Sequence, residues 1–202
     1  MKVQNMLDGT MGRPKQFDPE AAVEQAMQVF WRHGYAGTTP QCLVDALGIG
    51  KGSLYNAFGG KRQLFDLALR RYLDAHATAM DELLNEAGPV KERLRRTLHF
   101  LAETDLADPD RRGCLAMNTA MEFGHSDVSL TTLTQGMLDR TDRALQALLE
   151  EGQRAGDISR ERDSKDLAAL LLNTVTGLRV LARIESGPER IRRAIDTTVD
   201  LL

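Results

Sequence analysis

Much that would mark a secreted, membrane-embedded or catalytic chain is missing from this sequence. It has two cysteines, Cys42 and Cys114, in separate segments, too few and too scattered for a disulfide framework. No apolar run approaches the ~20 residues that a membrane-spanning helix requires. The first ten residues, MKVQNMLDGT, hold no apolar stretch, so no secretory leader is expected and the reading places the protein in the cytoplasm. The four histidines, His33, His76, His99 and His125, have no ligand spacing with one another or with either cysteine, and neither a metal nor a cofactor is expected. No nucleophile–base pair or carboxylate dyad is legible, so nothing asks for catalysis. Strict alternation of apolar and polar residues is also absent, which removes the usual signal of a half-buried strand.

What remains is a chain of 202 residues, 42% hydrophobic and 27% charged, the composition of a soluble globular protein large enough for a small domain joined to a larger one. The net charge of −3 argues against a nucleic-acid partner until its distribution is read. Residues 1–62 carry seven Lys/Arg against five acids, whereas the remaining 140 carry 19 against 24. A mildly basic head on an acidic body suits a protein that touches DNA with one end.

That head contains the stretch around which the chain is organised, GYAGTTPQCLVDALGIGKGSLYNAFGGK from Gly34 to Lys61. Thr39 is placed to cap a helix that opens on Pro40, where a proline removes only an N–H that would be orphaned anyway. Leu43, Val44 and Leu47 give this helix an apolar face, and Gly48 ends it. A second helix opens near Gly50 or Lys51, with Leu54 and Phe58 turned inward at i, i+4 spacing. Lys51, Ser53, Tyr55 and Asn56 are left to face outward. Helix, glycine turn, helix is the layout of a DNA-binding helix-turn-helix. The rival reading of GIGKGS as a phosphate-binding P-loop fails, because that motif needs Ser or Thr directly after Lys and a strand before it.

Elsewhere the pattern is helical. Asp18 and Pro19 open a first helix that stops at His33–Gly34. A long helix runs from Gly60 to about Glu86, and Gly88–Pro89 breaks it. Others cover Leu94 to Leu101, Cys114 to Phe123, a long run beginning at Ser126–Asp127, a segment from Lys165 to about Glu185 capped by Ser164, and a last one after Gly187–Pro188. The expected fold is all-α with about nine helices.

Thr38–Thr39, the turn Gly48–Ile49, the run Lys51-Gly52-Ser53-Leu54-Tyr55-Asn56-Ala57-Phe58 and Lys61 resemble the tetracycline-repressor (TetR) family of bacterial regulators. The chain departs from the family at Gly50 and Gly60, where a serine is frequent as a helix N-cap, and so lacks a hydroxyl at position 50 for a phosphate. The resemblance implies a basic arm over residues 1–16, a helix-turn-helix domain over 17–62 and a ligand-binding and dimerisation domain over 63–202. It implies a transcriptional regulator, a repressor, that binds palindromic operator DNA as a homodimer and answers to a small-molecule effector. The alternative is a helical carrier or enzyme that keeps only the scaffold.

The expected DNA contacts are Arg13 and Lys15 in the arm, Thr38, Thr39 and Gln41 at the first motif helix, and Lys51, Gly52, Ser53, Tyr55, Asn56 and Lys61 at the second. The helix start at Lys51-Gly52-Ser53 suits a phosphate. Asn56 carries the amide that can pair with adenine. An effector pocket is expected among His99, Met117, Asn118, Met121, Glu122, Phe123, Met137 and Arg179. Cys114, after Arg111-Arg112-Gly113 at a helix start, is a candidate redox sensor, although a buried small residue is the favoured reading. Cys42 reads as core. Leu167, Leu170, Leu171, Thr174, Leu178 and Leu181 form one apolar stripe and Ile191, Ala194, Ile195, Thr198 and Leu202 another. Either they pack within the chain or, as the resemblance implies, they form a four-helix dimer interface.

Overall fold

The computed structural model describes residues 17–202, which form nine helices and no strand. Arg13 and Lys15 lie outside the described residues. The helices are α1 (Pro19–Gly37), α2 (Pro40–Leu47), α3 (Lys51–Phe58), α4 (Lys61–Leu84), α5 (Val90–Ala107), α6 (Leu115–Phe123), α7 (Val128–Ala155), α8 (Ser164–Leu181) and α9 (Glu189–Asp200).

Local chemistry sets most of these ends. Asp18 accepts from the Glu20 amide at 2.9 Å and Thr39 from the Cys42 amide at 3.1 Å, each satisfying one orphan donor of a helix that begins with proline. Gly48 closes α2 in the left-handed region at φ 62°. At the start of α4, Gly60 sits at φ 142°, ψ −174°, a conformation that a serine would not adopt cheaply, so glycine here is a backbone requirement rather than a lost cap. The cap of α8 is Asp163, which accepts from the Lys165 amide at 2.8 Å, and not Ser164 as expected.

The helix α1 contains a break. Gly34, at φ 70° and ψ 175°, interrupts it before a final turn that ends at Gly37. The break frees the amides of Tyr35 and Ala36 from α1's own ladder, and both find another partner, described below.

Two hydrophobic cores result, and α4 runs through both. The first joins the head to α6 and the start of α7: Phe30, Leu43, Leu54, Phe58, Leu64, Phe65 and Tyr72 bury against Leu115, Ala116 and Leu130. The second packs the far end of α4 with α5, the later turns of α7, α8 and α9, through residues such as Met80, Leu94, Leu149, Leu171 and Ile195. Within it, buried Arg93 donates to the Leu84 carbonyl and to Glu151, which ties the ends of α4, α5 and α7 together.

This second core corrects the expected dimer stripes. Leu167, Leu171, Leu178, Ile191 and Ile195 are all buried within one chain, and Thr174, Leu181 and Thr198 are half-buried. The apolar area of the five buried residues is already covered by α5, α7 and each other's helices, so it is not free for a second copy. The large apolar side chains that α8 and the turn after it leave exposed are Leu170, Val180 and Ile184.

Candidate nucleic-acid interface and effector site

The second motif helix, α3, presents its polar side to solvent because Leu54 and Phe58 anchor the other side in the first core. Lys51, Gly52, Ser53, Tyr55 and Asn56 are all exposed, and Gly50 leaves the first amides of the helix without a side-chain cap. Uncapped amides, the positive end of the helix dipole and the Lys51 ammonium converge on one spot, which is the arrangement that attracts a phosphate. Gly52 has open space where a side chain would begin. One turn on, Asn56 offers a donor and an acceptor on a short stem, a match for the major-groove edge of adenine.

Lys61, the first residue of α4, stands with its ammonium 4.0 Å from the centre of the Tyr35 ring. The ring fixes the charge at the head's surface without neutralising it. On α2, exposed Gln41 donates to Asp45 at 2.7 Å. Thr38 leaves the expected set of DNA contacts: it is fully buried, and its hydroxyl donates to the Gly34 carbonyl at 2.7 Å to hold the broken end of α1. Thr39 is exposed, but its hydroxyl is engaged as the cap of α2. Cys42 is a further correction. It is exposed rather than core, and the Thr39 hydroxyl, 3.0 Å from the sulfur, draws its pKa below the ordinary thiol value.

The head is bolted to the body at three places that the sequence reading did not single out. Glu122 of α6 accepts the Tyr35 amide at 2.9 Å and the Ala36 amide at 2.5 Å, the two donors released by the break at Gly34. Arg62, in the first turn of α4, pairs with Asp127, the N-cap of α7, and donates to Ser129 at 2.7 Å. This pairing and the capped amide of Leu130 hold the Asp127 carboxyl well below its usual pKa. The loop before α6 makes the third bolt: Trp31 donates to the Gly113 carbonyl at 2.8 Å, and the Arg112 guanidinium lies 4.3 Å over the Trp31 ring. Only the break glycine at Gly34 could have hinted at the first of these.

A cavity of about 240 Å³ lies between α4 and α7. Leu73, His76, Ala77 and Met80 line it from α4, and Leu133, Met137, Thr141 and Ala144 from α7. Its position is the seam between the two cores, since Leu73 belongs to the first and Met80 to the second. Of the residues expected in a pocket, Met137 alone is in its wall. Met117, Asn118, Met121 and Arg179 surround a separate recess of about 30 Å³, room for roughly one water. Arg179 is committed to Asp105 through two hydrogen bonds of 2.8 and 2.9 Å. His99 lies on the other side of α5, 3.1 Å from Asp196 of α9. Glu122 is the head bolt already described, and Phe123 packs on the rings of Tyr35 and Phe65.

Cys114 is the N-cap of α6 and is buried, with the Tyr72 hydroxyl 3.5 Å from its sulfur. The arginines expected to activate it are engaged elsewhere, Arg112 with Asp108 at 2.8 Å and Arg111 with the Ala182 carbonyl at 2.8 Å. This is the setting of a packed cap residue rather than an exposed sensor. Among the described residues no group of His, Cys, Asp or Glu could hold a metal ion, and no helix is long and apolar enough to cross a membrane.

Residues 22–68 match the family model for bacterial regulatory proteins of the tetR family, and residues 90–198 match the model for a tetracyclin repressor-like C-terminal domain. The chain is 31% identical to the uncharacterized HTH-type transcriptional regulator YezE of Bacillus subtilis (strain 168), over 95% of this chain and 100% of that protein. It is 30% identical to the HTH-type transcriptional repressor ComR of Escherichia coli (strain K12), over 94% of this chain and 91% of that one. Among solved structures, a cysteine mutant of the regulator CifR complexed with 26-bp double-strand operator DNA superposes with a TM-score of 0.82 at 28% identity, covering 93% of this chain and 98% of that one.

Proposed function

The chain belongs to the TetR family of bacterial transcriptional regulators and is a DNA-binding regulator, and on that premise we propose that it is a cytoplasmic, dimeric repressor released by a small molecule bound between α4 and α7. The observation that carries the reading is the place of the cavity, at the seam between a core that holds the DNA-binding head and a core that holds α8 and α9. A molecule wedged there favours one packing of the cores over another. Because Glu122, Arg62 and the Trp31 loop fasten the head to α6 and α7, the head follows. Coupling of ~1–3 kcal/mol is the usual scale for such a link.

The dimer is assigned to the outer face of α8 and the turn after it. Leu170, Gly177 and Ile184 fall seven residues apart, with Val180 between them. Leu170 is 56% exposed and Ile184 78%, and Gly177 has open space at its Cβ position. A seam of apolar residues around a glycine lets two helices approach closely. The protein acts as a regulator and not as a catalyst.

The test is a titration of the full chain against the DNA adjoining its own gene, beside random DNA of equal length. A strong preference for an inverted repeat is the expected result, and equal affinity for both would return the scaffold-only alternative. Sedimentation decides the dimer. Leu170→Asp is expected to yield a folded monomer, whereas Leu178→Asp, which puts a carboxylate into the second core, should unfold the chain. A wild type that sediments as a monomer at micromolar concentration refutes the interface.

A further inference from the structure

The cavity between α4 and α7 carries a chemical preference, an inference that rests on reading it as the effector site. His76 lines it from α4, with its ring between the cavity and the buried pair of Arg179 and Asp105. Arg179 Nη1 is 3.4 Å from His76 Nε2. A guanidinium can only donate, so Nε2 meets it as an acceptor and the ring proton sits on Nδ1. Burial, helped by the Arg179 charge, pushes the imidazole pKa down to about 4, which keeps the ring neutral near pH 7. Among the described residues no protein group pairs with Nδ1, and no fully enclosed side-chain nitrogen or oxygen lacks a partner. The Nδ1–H therefore keeps access to open space, and His76 is part of the cavity wall.

The rest of the wall sharpens the preference. Leu73, Ala77, Met80, Leu133, Met137 and Ala144 are apolar. The Thr141 hydroxyl gives its proton to the Met137 carbonyl at 3.1 Å, so it is no second donor. The charged lining residues are two arginines, Arg70 and Arg140, and two aspartates, Asp74 and Asp81, which balance in sign. A volume of about 240 Å³ exceeds the ~150 Å³ that suffices for benzene in an apolar protein cavity.

We propose that this site takes a small, largely apolar, uncharged molecule bearing one hydrogen-bond-accepting oxygen, a ketone or aldehyde in class, with that oxygen seated on His76 Nδ1. An apolar molecule of the same shape would cover the Nδ1–H without giving it a partner and lose affinity. A cation or a free carboxylate would leave water for a mostly apolar interior, because the four charged lining residues are all exposed and balance in sign.

The test uses acetophenone and ethylbenzene, close in shape and differing in the carbonyl. Each is titrated into the full-length protein by calorimetry, with operator binding as the check that the protein is folded. Acetophenone is expected to bind about tenfold more tightly, the scale of one satisfied buried hydrogen bond. His76→Phe should erase the difference, and His76→Gln, which restores a donor, should recover part of it. Equal affinities for the wild type, no binding of acetophenone up to millimolar concentration, or a preference that survives in His76→Phe would each overturn the proposal. Met137→Trp, which fills the cavity, separates the two failures. If it leaves acetophenone binding intact, the effector-site reading falls. If it abolishes binding of two probes that the wild type does not discriminate, only the role of His76 falls.

Discussion

The two cores of this molecule are built from different side chains. The first contains Phe30, Phe58, Phe65 and Tyr72, with Phe17, Trp31, Tyr35 and Phe123 packed around them, whereas the second is made of Leu, Ile, Val, Ala and Met. Rings that meet at set angles, such as Phe30 and Phe65 at 75° and Trp31 and Tyr72 at 74°, permit few alternative packings. Aliphatic helix faces can slide past one another by small steps at lower cost, which is the shear motion of packed helices. The difference suggests a division of labour. The aromatic core keeps the head, α6 and the start of α7 as one body, and the aliphatic core is where that body can shift against α8 and α9.

The sharpest way to break the comparison is to cut one ring from the first core. Phe65 is 1% exposed and touches Phe30, Tyr35 and Phe123. Phe65→Ala should cost about 3–5 kcal/mol in urea unfolding and should also loosen the head enough to abolish operator binding. Leu149→Ala, at a fully buried site of the second core, should cost about 2–5 kcal/mol yet leave operator affinity within a few fold in protein that remains folded. Equal loss of DNA binding in both variants would mean that the cores do not act as separate bodies.

The seam itself answers to pH. His76 has a folded-state pKa of about 4, below the ordinary 6.5. Between those values the unfolded chain takes up the proton more readily, so the contribution of the neutral ring is complete above pH 6.5 and lost as the pH falls towards 4. The wild type should therefore lose about 2–3 kcal/mol more than His76→Gln between pH 7 and 4. Parallel urea midpoints for the two proteins across that range would refute the buried, neutral ring.

How much of this was legible in the sequence follows the same divide. The helix-turn-helix could be read because its signals are local: a cap at Thr39, a turn at Gly48, and Leu54 and Phe58 one turn apart. Thr38 misled because a threonine beside a motif looks the same whether its hydroxyl faces DNA or the Gly34 carbonyl. In α8 and the turn after it two apolar rows alternate, and the spacing of Leu167, Leu171 and Leu178 does not say whether they or Leu170, Val180 and Ile184 face the chain's own core. The bolt from Glu122 to Tyr35 and Ala36 joins residues more than eighty positions apart, beyond any periodicity. The cavity was hidden for a related reason, since its α4 wall has the same i, i+3, i+4 pattern as a filled core.

Within the head, α3 allows a finer comparison between a charge that positions and an amide that reads. Asn56→Ala should weaken binding to the operator by about 1–3 kcal/mol and to random DNA by much less. Lys51→Ala should weaken both alike and lower the salt dependence of log K by about one unit per contact in each subunit. Competition binding at several salt concentrations checks both. Equal losses on the two DNAs for Asn56→Ala would move that side chain to the phosphate class and leave base reading to Gln41 or Ser53.

The smallest expected change in stability is also the one that tests whether the first core moves as a body. Glu122 holds two amides of α1 through its carboxylate, on the surface of the junction. Glu122→Gln keeps the length and one acceptor oxygen but removes the charge and one of the two acceptors. The loss should be no more than about 1 kcal/mol of stability, because the freed amide is exposed enough to be met by water. Coupling is a different matter. With the bolt loosened, the turn after Gly34 can stay with the DNA while α6 shifts, so bound acetophenone should change operator affinity less than in the wild type. Anisotropy titrations of operator DNA with and without acetophenone measure this directly. The expected result is near-normal affinity in its absence and a ligand effect reduced by at least half. An undiminished ligand effect would show that Arg62–Asp127 and the Trp31 loop carry the coupling without Glu122, and that the contact only trims the end of α1.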